Sequence, residues 1–129
     1  MPTLPWTNVE KPPESGDVVV MASRFWLRGY RHVLPFFVDA MRIHAQVRKA
    51  DGALGVSLVA HPLRKEFATL SAWRDRDALN ALVRSEPHRT IMGRYRSVMA
   101  GSRFTFWEVP ASALPPDWVE AERRLAAAA

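Results

Sequence analysis

The chain has no cysteine among its 129 residues. Disulfides, thiolate-held zinc, iron–sulfur clusters and cysteine nucleophiles are therefore excluded. Lysine is scarce: Lys11, Lys49 and Lys65 are the only three of 18 basic residues, so arginine carries the cationic charge. No apolar run approaches the ~20 residues of a membrane-crossing helix. The first residues, through Trp6, offer neither the basic nor the apolar region of a secretory leader, which predicts a cytoplasmic protein. There is no glycine-rich phosphate loop, because the Gly-Ala-Leu-Gly run at 52–55 precedes a strand rather than a helix. No GxSxG elbow surrounds Ser23, which discounts it as a nucleophile.

What is present is an ordinary folded composition, 48% hydrophobic and 24% charged, at a length suited to one domain. The net charge of +5 invites a nucleic-acid reading. Against it, the arginines are spread along the whole chain, with no basic tail and no aromatic RNP-type strand, so no nucleic-acid partner is expected, and the missing spanning run predicts no membrane partner.

Residues 1–16 contain Pro2, Pro5, Pro12, Pro13 and Gly16, and read as an extended arm pinned by Leu4 and Trp6. Residues 17–129 read as a single domain. Strands are predicted at 17–27, 53–61, 65–74 and 103–109 from their β-branched and aromatic content. Helices are predicted at 31–49, at 76–84 with Asp75 as cap, in a further segment opened by Ser85 and Pro87, and at 118–128 with Asp117 as cap. The β-α-β-β-α-β order fits a ferredoxin-like split βαβ, an α+β fold with an antiparallel sheet. Strand alternation assigns Val19, Met21, Ser23, Phe25, Leu54, Val56, Leu58, Ala60, Ala68, Leu70, Ala72, Phe104 and Phe106 to the helix-covered face. The other face, with Trp26, Trp73 and Trp107, is too aromatic for water, and a second sheet in a homodimer would cover it.

The segments VVVMASRF, EFATLSAWRDRDALNALVRSEPHRTIM and TFWEVP resemble the antibiotic-biosynthesis-monooxygenase-like proteins of the dimeric α+β barrel superfamily. The nearest resemblance is to an actinobacterial branch of unknown function related to spheroidene monooxygenase-like proteins, and it spans residues 17–119. It implies a homodimeric barrel and a small-molecule enzyme of secondary metabolism, in its leading form a cofactor-independent monooxygenase. The alternatives are a haem-binding monooxygenase-like protein and a non-catalytic ligand-binding dimer. The haem-degrading branch requires Asn, Trp and His where this chain carries Ser23, Leu82 and Met92, which argues for no cofactor. Ala68 stands where the branch carries an aromatic, and would widen a cavity.

His88 shares a helical stripe with Met92, Tyr95 and Met99, and its place in a first turn favours neutral imidazole. It is the candidate base, with Tyr95 or His44 as donor; the bland alternative is that His88 caps its helix or bonds a strand carbonyl. Ser23, Phe25, Ala68 and Met92 are the candidate substrate contacts. No HxxxH, HxH or carboxylate partner accompanies the histidines, so no metal site is expected.

Overall fold

A computed structural model of the chain describes residues 3–128. Met1 and Pro2 of the arm, and the last alanine, lie outside them. Five strands form one antiparallel sheet: β1 (Thr3–Asn8), β2 (Asp17–Leu27), β3 (Ala53–His61), β4 (Glu66–Trp73) and β5 (Met99–Pro110), in the order β1-β3-β4-β2-β5. Helix α1 (Val33–Val47) links β2 to β3, while α2 (Arg76–Arg84) and α3 (His88–Tyr95) link β4 to β5. A last helix, α4 (Trp118–Ala127), follows β5. Without β1, the strand order is that of a ferredoxin-like split βαβ, as the sequence predicts.

The arm is more than a pin. Thr3–Asn8 adds an edge strand to β3, at the one kind of position where a proline such as Pro5 is tolerated in a sheet. Gly55 makes this possible: a Cβ there would lie 2.1 Å from the Trp6 ring. Gly52 serves the β3 entrance, with φ at +84° and Ala78 of α2 too close to admit a side chain.

Two sequence expectations about the faces are corrected. In β4, it is Phe67, Thr69, Ser71 and Trp73 that face α1–α3, not Ala68, Leu70 and Ala72. The β3–β4 connection pairs His61 with Glu66 and hence Leu58 with Thr69, and directly opposed residues share a face. A register shift between Ala53 and Gly55 likewise sends Leu54 to the opposite face. Part of that opposite face is covered from within the chain. Helix α4 lies on it, burying Ala121 and Leu125 completely against Val18, Val20, Ala22, Leu70, Ala72 and Trp107. Burying Leu125 alone is worth about 2 kcal/mol. Asp117 caps α4 by accepting a hydrogen bond from the Val119 amide, as predicted. Of the three tryptophans, Trp73 is buried under α2 and Trp107 under α4, while Trp26 stays half-buried and donates to Glu66.

Helix α1 buries Phe36, His44 and Val47, with Ile43 partly covered, while Met41 turns outward. In α2 the Asp75 carboxylate caps Ala78 as expected. Ser85 does not cap α3; its hydroxyl donates back to the Ala81 carbonyl, and the Glu86 carboxylate accepts from the Thr90 amide instead.

Candidate functional site

Between the sheet and α1–α3 lies a cavity of about 400 Å³. Met21, Ser23 and Phe25 of β2, Phe67, Thr69 and Ser71 of β4, and Val56 and Leu58 of β3 form its floor. Phe36, Ala40 and His44 of α1 and His88 and Met92 of α3 form the roof. At the mouth, Phe104 and Phe106 of β5 are 49% and 40% exposed. The Arg76 guanidinium stacks 3.9 Å above the Phe106 ring, and Asn80 follows one turn along α2. A wider depression of about 910 Å³ lies on the outer side of α1 and α2, but its Arg74 is already engaged with Asp51 and Asp75.

The cavity is mostly apolar, and besides Ser57, Ser71 and Asn80 its polar groups sit at three places. Ser23 and Thr69, opposed across β2 and β4, share a short hydroxyl–hydroxyl hydrogen bond on the floor. The Nε2 atom of His44 is buried with no hydrogen-bond partner among the described residues, and so is the Nδ1 atom of His88. Burial holds both imidazoles below their ordinary pKa, so both are neutral near pH 7. The Arg48 charge pushes His44 the same way, whereas a hydrogen bond from the His88 ring to the Val83 backbone partly opposes the shift at His88. The backbone N–H of His88 donates to the Gln46 side chain at 3.0 Å, which fixes the start of α3 against α1. An unpaired ring nitrogen in an apolar cavity forgoes solvation unless a ligand supplies a partner.

Of the residues singled out from sequence, the structure brings His88, His44, Ser23, Phe25 and Met92 to this one cavity. Two are placed elsewhere. Ala68 sits opposite Arg24 and Val59 on the α4 side of the sheet, because the phase of β4 is reversed from the predicted one. Tyr95 is buried, and its hydroxyl donates to the Asp39 carboxylate of α1 at 2.6 Å. Burial, together with the hydrogen bond and charge of Asp39, pushes that phenol up to about 12. Tyr95 therefore ties α3 to α1 rather than serving the cavity. Thr69, Gln46 and Asn80 were missed; correct pairing of β4 with β3 would have revealed Thr69.

His44, His88 and Met92 are the lining residues whose donor atoms iron could approach. Met92 is a weak thioether donor where the haem-degrading pattern needs an imidazole, so the haem-degrading donor set is not met.

The sheet with helices packed on it defines a protein with the ferredoxin-like α+β fold. Residues 37–129 match the family described as Domain of unknown function (DUF3291), and the chain belongs to that family. No curated protein matches it by sequence. Among solved structures, a proposed antibiotic biosynthesis monooxygenase from Nitrosomonas europaea superposes with a TM-score of 0.65 at 14% identity, over 77% of this chain and 92% of that one. A variant of SnoaB, a cofactor-independent oxygenase from Streptomyces nogalater, superposes with a TM-score of 0.58 at 17% identity, over 78% of this chain and all of that one. A further antibiotic biosynthesis monooxygenase gives 0.57 at 15% identity, over 70% and 95%. At such identities the likeness establishes the fold. No helix among the described residues is long and apolar enough to cross a membrane.

Proposed function

We propose that the chain is a small-molecule enzyme of secondary metabolism, a cofactor-independent monooxygenase acting on a flat, largely apolar organic substrate. One observation carries this reading: two imidazoles line a largely apolar cavity, each with a buried ring nitrogen that has no hydrogen-bond partner among the described residues. An acidic C–H or O–H of the substrate would lie against Nδ1 of His88, which takes its proton as general base. The resulting oxyanion would be met by His44, in the tautomer that carries its proton on Nε2. The substrate anion itself reduces dioxygen. For a doubly activated methylene, one oxygen atom becomes the new carbonyl and the other leaves as water with both methylene hydrogens. All four electrons come from the substrate. Dry walls protect the anion from premature protonation.

The same proposal includes membership of the branch related to spheroidene monooxygenase-like proteins, a cytoplasmic location and a homodimer. The outer edge of β5 is unpaired and carries two exposed phenylalanines, which supports pairing there with a second copy.

The test is His88→Ala, assayed by oxygen consumption on activated phenols and aryl ketones. Turnover should fall at least a hundredfold while ligand affinity changes little, since a base acts on the transition state. Full turnover per folded molecule would refute the role of His88. A Soret band with stoichiometric iron in the purified protein would replace the reading by the haem alternative.

A further inference from the structure

Helix α1 is apolar on both sides, and only one side is covered. While Phe36, His44 and Val47 face the sheet, Leu34, Val38 and Met41 point outward and are 69%, 52% and 38% exposed. Tyr30, in the single turn that leads into α1, extends the same line and is 62% exposed. The spacing 30, 34, 38, 41 keeps all four on one helical face. Leu63 joins them: the Tyr30 hydroxyl donates to its carbonyl at 2.7 Å, and its side chain is 87% exposed. Five of the nine large apolar side chains that the described residues expose thus lie in one patch. That exceeds the scattered exposure of an ordinary surface.

The charge around the patch has one sign. Arg28, Arg31, Arg64, Lys65 and Arg96 border it, and none forms an ion pair among the described residues. They are brought together by the fold: the Leu27 amide bonds the Lys65 carbonyl, the Arg28 amide bonds the Val98 carbonyl, and the Lys65 ammonium lies 4.6 Å over the Tyr30 ring. The nearest carboxylates are turned inward. Glu66 is buried and accepts from the Trp26 indole, and Asp39 is buried beneath Tyr95.

We propose that this face docks on an anionic lipid surface, with the α1 stripe in the interfacial region and the cations on the headgroups. A second copy is disfavoured as the occupant, because a two-fold contact would set five unpaired cations against another five. The sequence expectation of no membrane partner rests on the missing spanning run, which excludes crossing a bilayer but not lying on one. The proposal is independent of the cavity chemistry.

The experiment is cosedimentation of the full chain with vesicles of mixed phosphatidylglycerol and phosphatidylcholine, and with pure phosphatidylcholine. The mixed vesicles should bind, and the neutral ones at least tenfold more weakly. The double substitution Leu34→Ser with Val38→Ser, at exposed positions that leave the core intact, should cost about tenfold. Arg64→Gln with Lys65→Gln should do the same. Arg48→Gln with Arg84→Gln removes equal charge elsewhere and should cost less than threefold. Absence of binding to the mixed vesicles overturns the proposal. So does binding that ignores the Leu34 and Val38 substitutions, or that falls equally with either charge pair, since both describe adsorption of any cationic protein. Self-association in the absence of lipid that the Leu34 and Val38 substitutions abolish would assign the stripe to a second copy, and would also overturn it.

Discussion

Asp39 and Tyr95, 56 positions apart in the chain, are joined by a 2.6 Å hydrogen bond that spans α1 and α3. The carboxylate is almost fully buried and also accepts from Arg94 at 3.0 Å and Arg42 at 3.2 Å. Burial alone would raise the Asp39 pKa. The hydrogen bonds from Tyr95 and Arg42 and the charges of the two arginines outweigh it, leaving the carboxyl below its ordinary value. The cluster sets the spacing of the two helices that carry His44 and His88.

Tyr95→Phe should therefore lower stability by about 1–2 kcal/mol through loss of one hydrogen bond to a charged group. Asp39→Ala should cost more, about 3 kcal/mol, because it also strands a buried phenol hydroxyl. Denaturant unfolding measures both. If Tyr95 served the reaction instead, the Phe variant would lose turnover per folded molecule with no matching loss of stability.

Stability should fall on the acid side of pH 6.5. Both His44 and His88 have folded pKa values below the ordinary 6.5, so the unfolded chain binds protons that the folded chain refuses. Their contribution is complete above about pH 6.5 and is lost as pH drops toward the folded values. Asp39 acts in the same direction but only below its ordinary 3.8. Urea midpoints measured between pH 4.5 and 7.5 should rise with pH and level off, and His88→Gln should flatten the slope. A midpoint independent of pH across that range would mean that neither imidazole is sequestered.

The sequence makes the element order legible because each strand and helix carries its own period and its own cap. Asp75 and Asp117 sit where a helix must begin, and β2 and β3 have the predicted bounds. Strand phase is less legible. Alternation tells which residues share a face, not which face the helices cover, and here both faces of β4 are apolar because α4 covers the second. Ala68, Leu70 and Ala72 therefore looked like the cavity side, and Thr69 and Ser71 like the wet side. The histidines were legible because helical spacing places them relative to neighbours on the same element. Tyr95 obeyed that spacing too, but its partner Asp39 lies on another helix, and no local pattern announces such a pair. The role of Gly55 was equally hidden, since its meaning depends on Trp6, a residue of the arm.

The Ser23–Thr69 pair gives the sharpest test of where the cavity floor lies. Each hydroxyl satisfies the other on the cavity floor, Ser23 being almost fully buried and Thr69 half-buried. Removing one leaves its partner unsatisfied, so Ser23→Ala and Thr69→Val should each cost about 1–3 kcal/mol. Removing both replaces the pair by apolar surface, and the double variant should be destabilised less than the sum of the singles, with a coupling of about 1 kcal/mol. Thermal and urea unfolding of the four proteins measure the cycle. The double variant should also bind an apolar probe such as naphthalene more tightly than the parent, because the floor loses its hydroxyl pair and becomes more apolar. An Ala68→Val control adds bulk on the α4 side and should leave probe affinity where it was. If Ala68→Val blocked the probe while the Thr69 variant left it untouched, the phase of β4 would be the reverse of the one described, and the cavity would have to be rebuilt around Ala68.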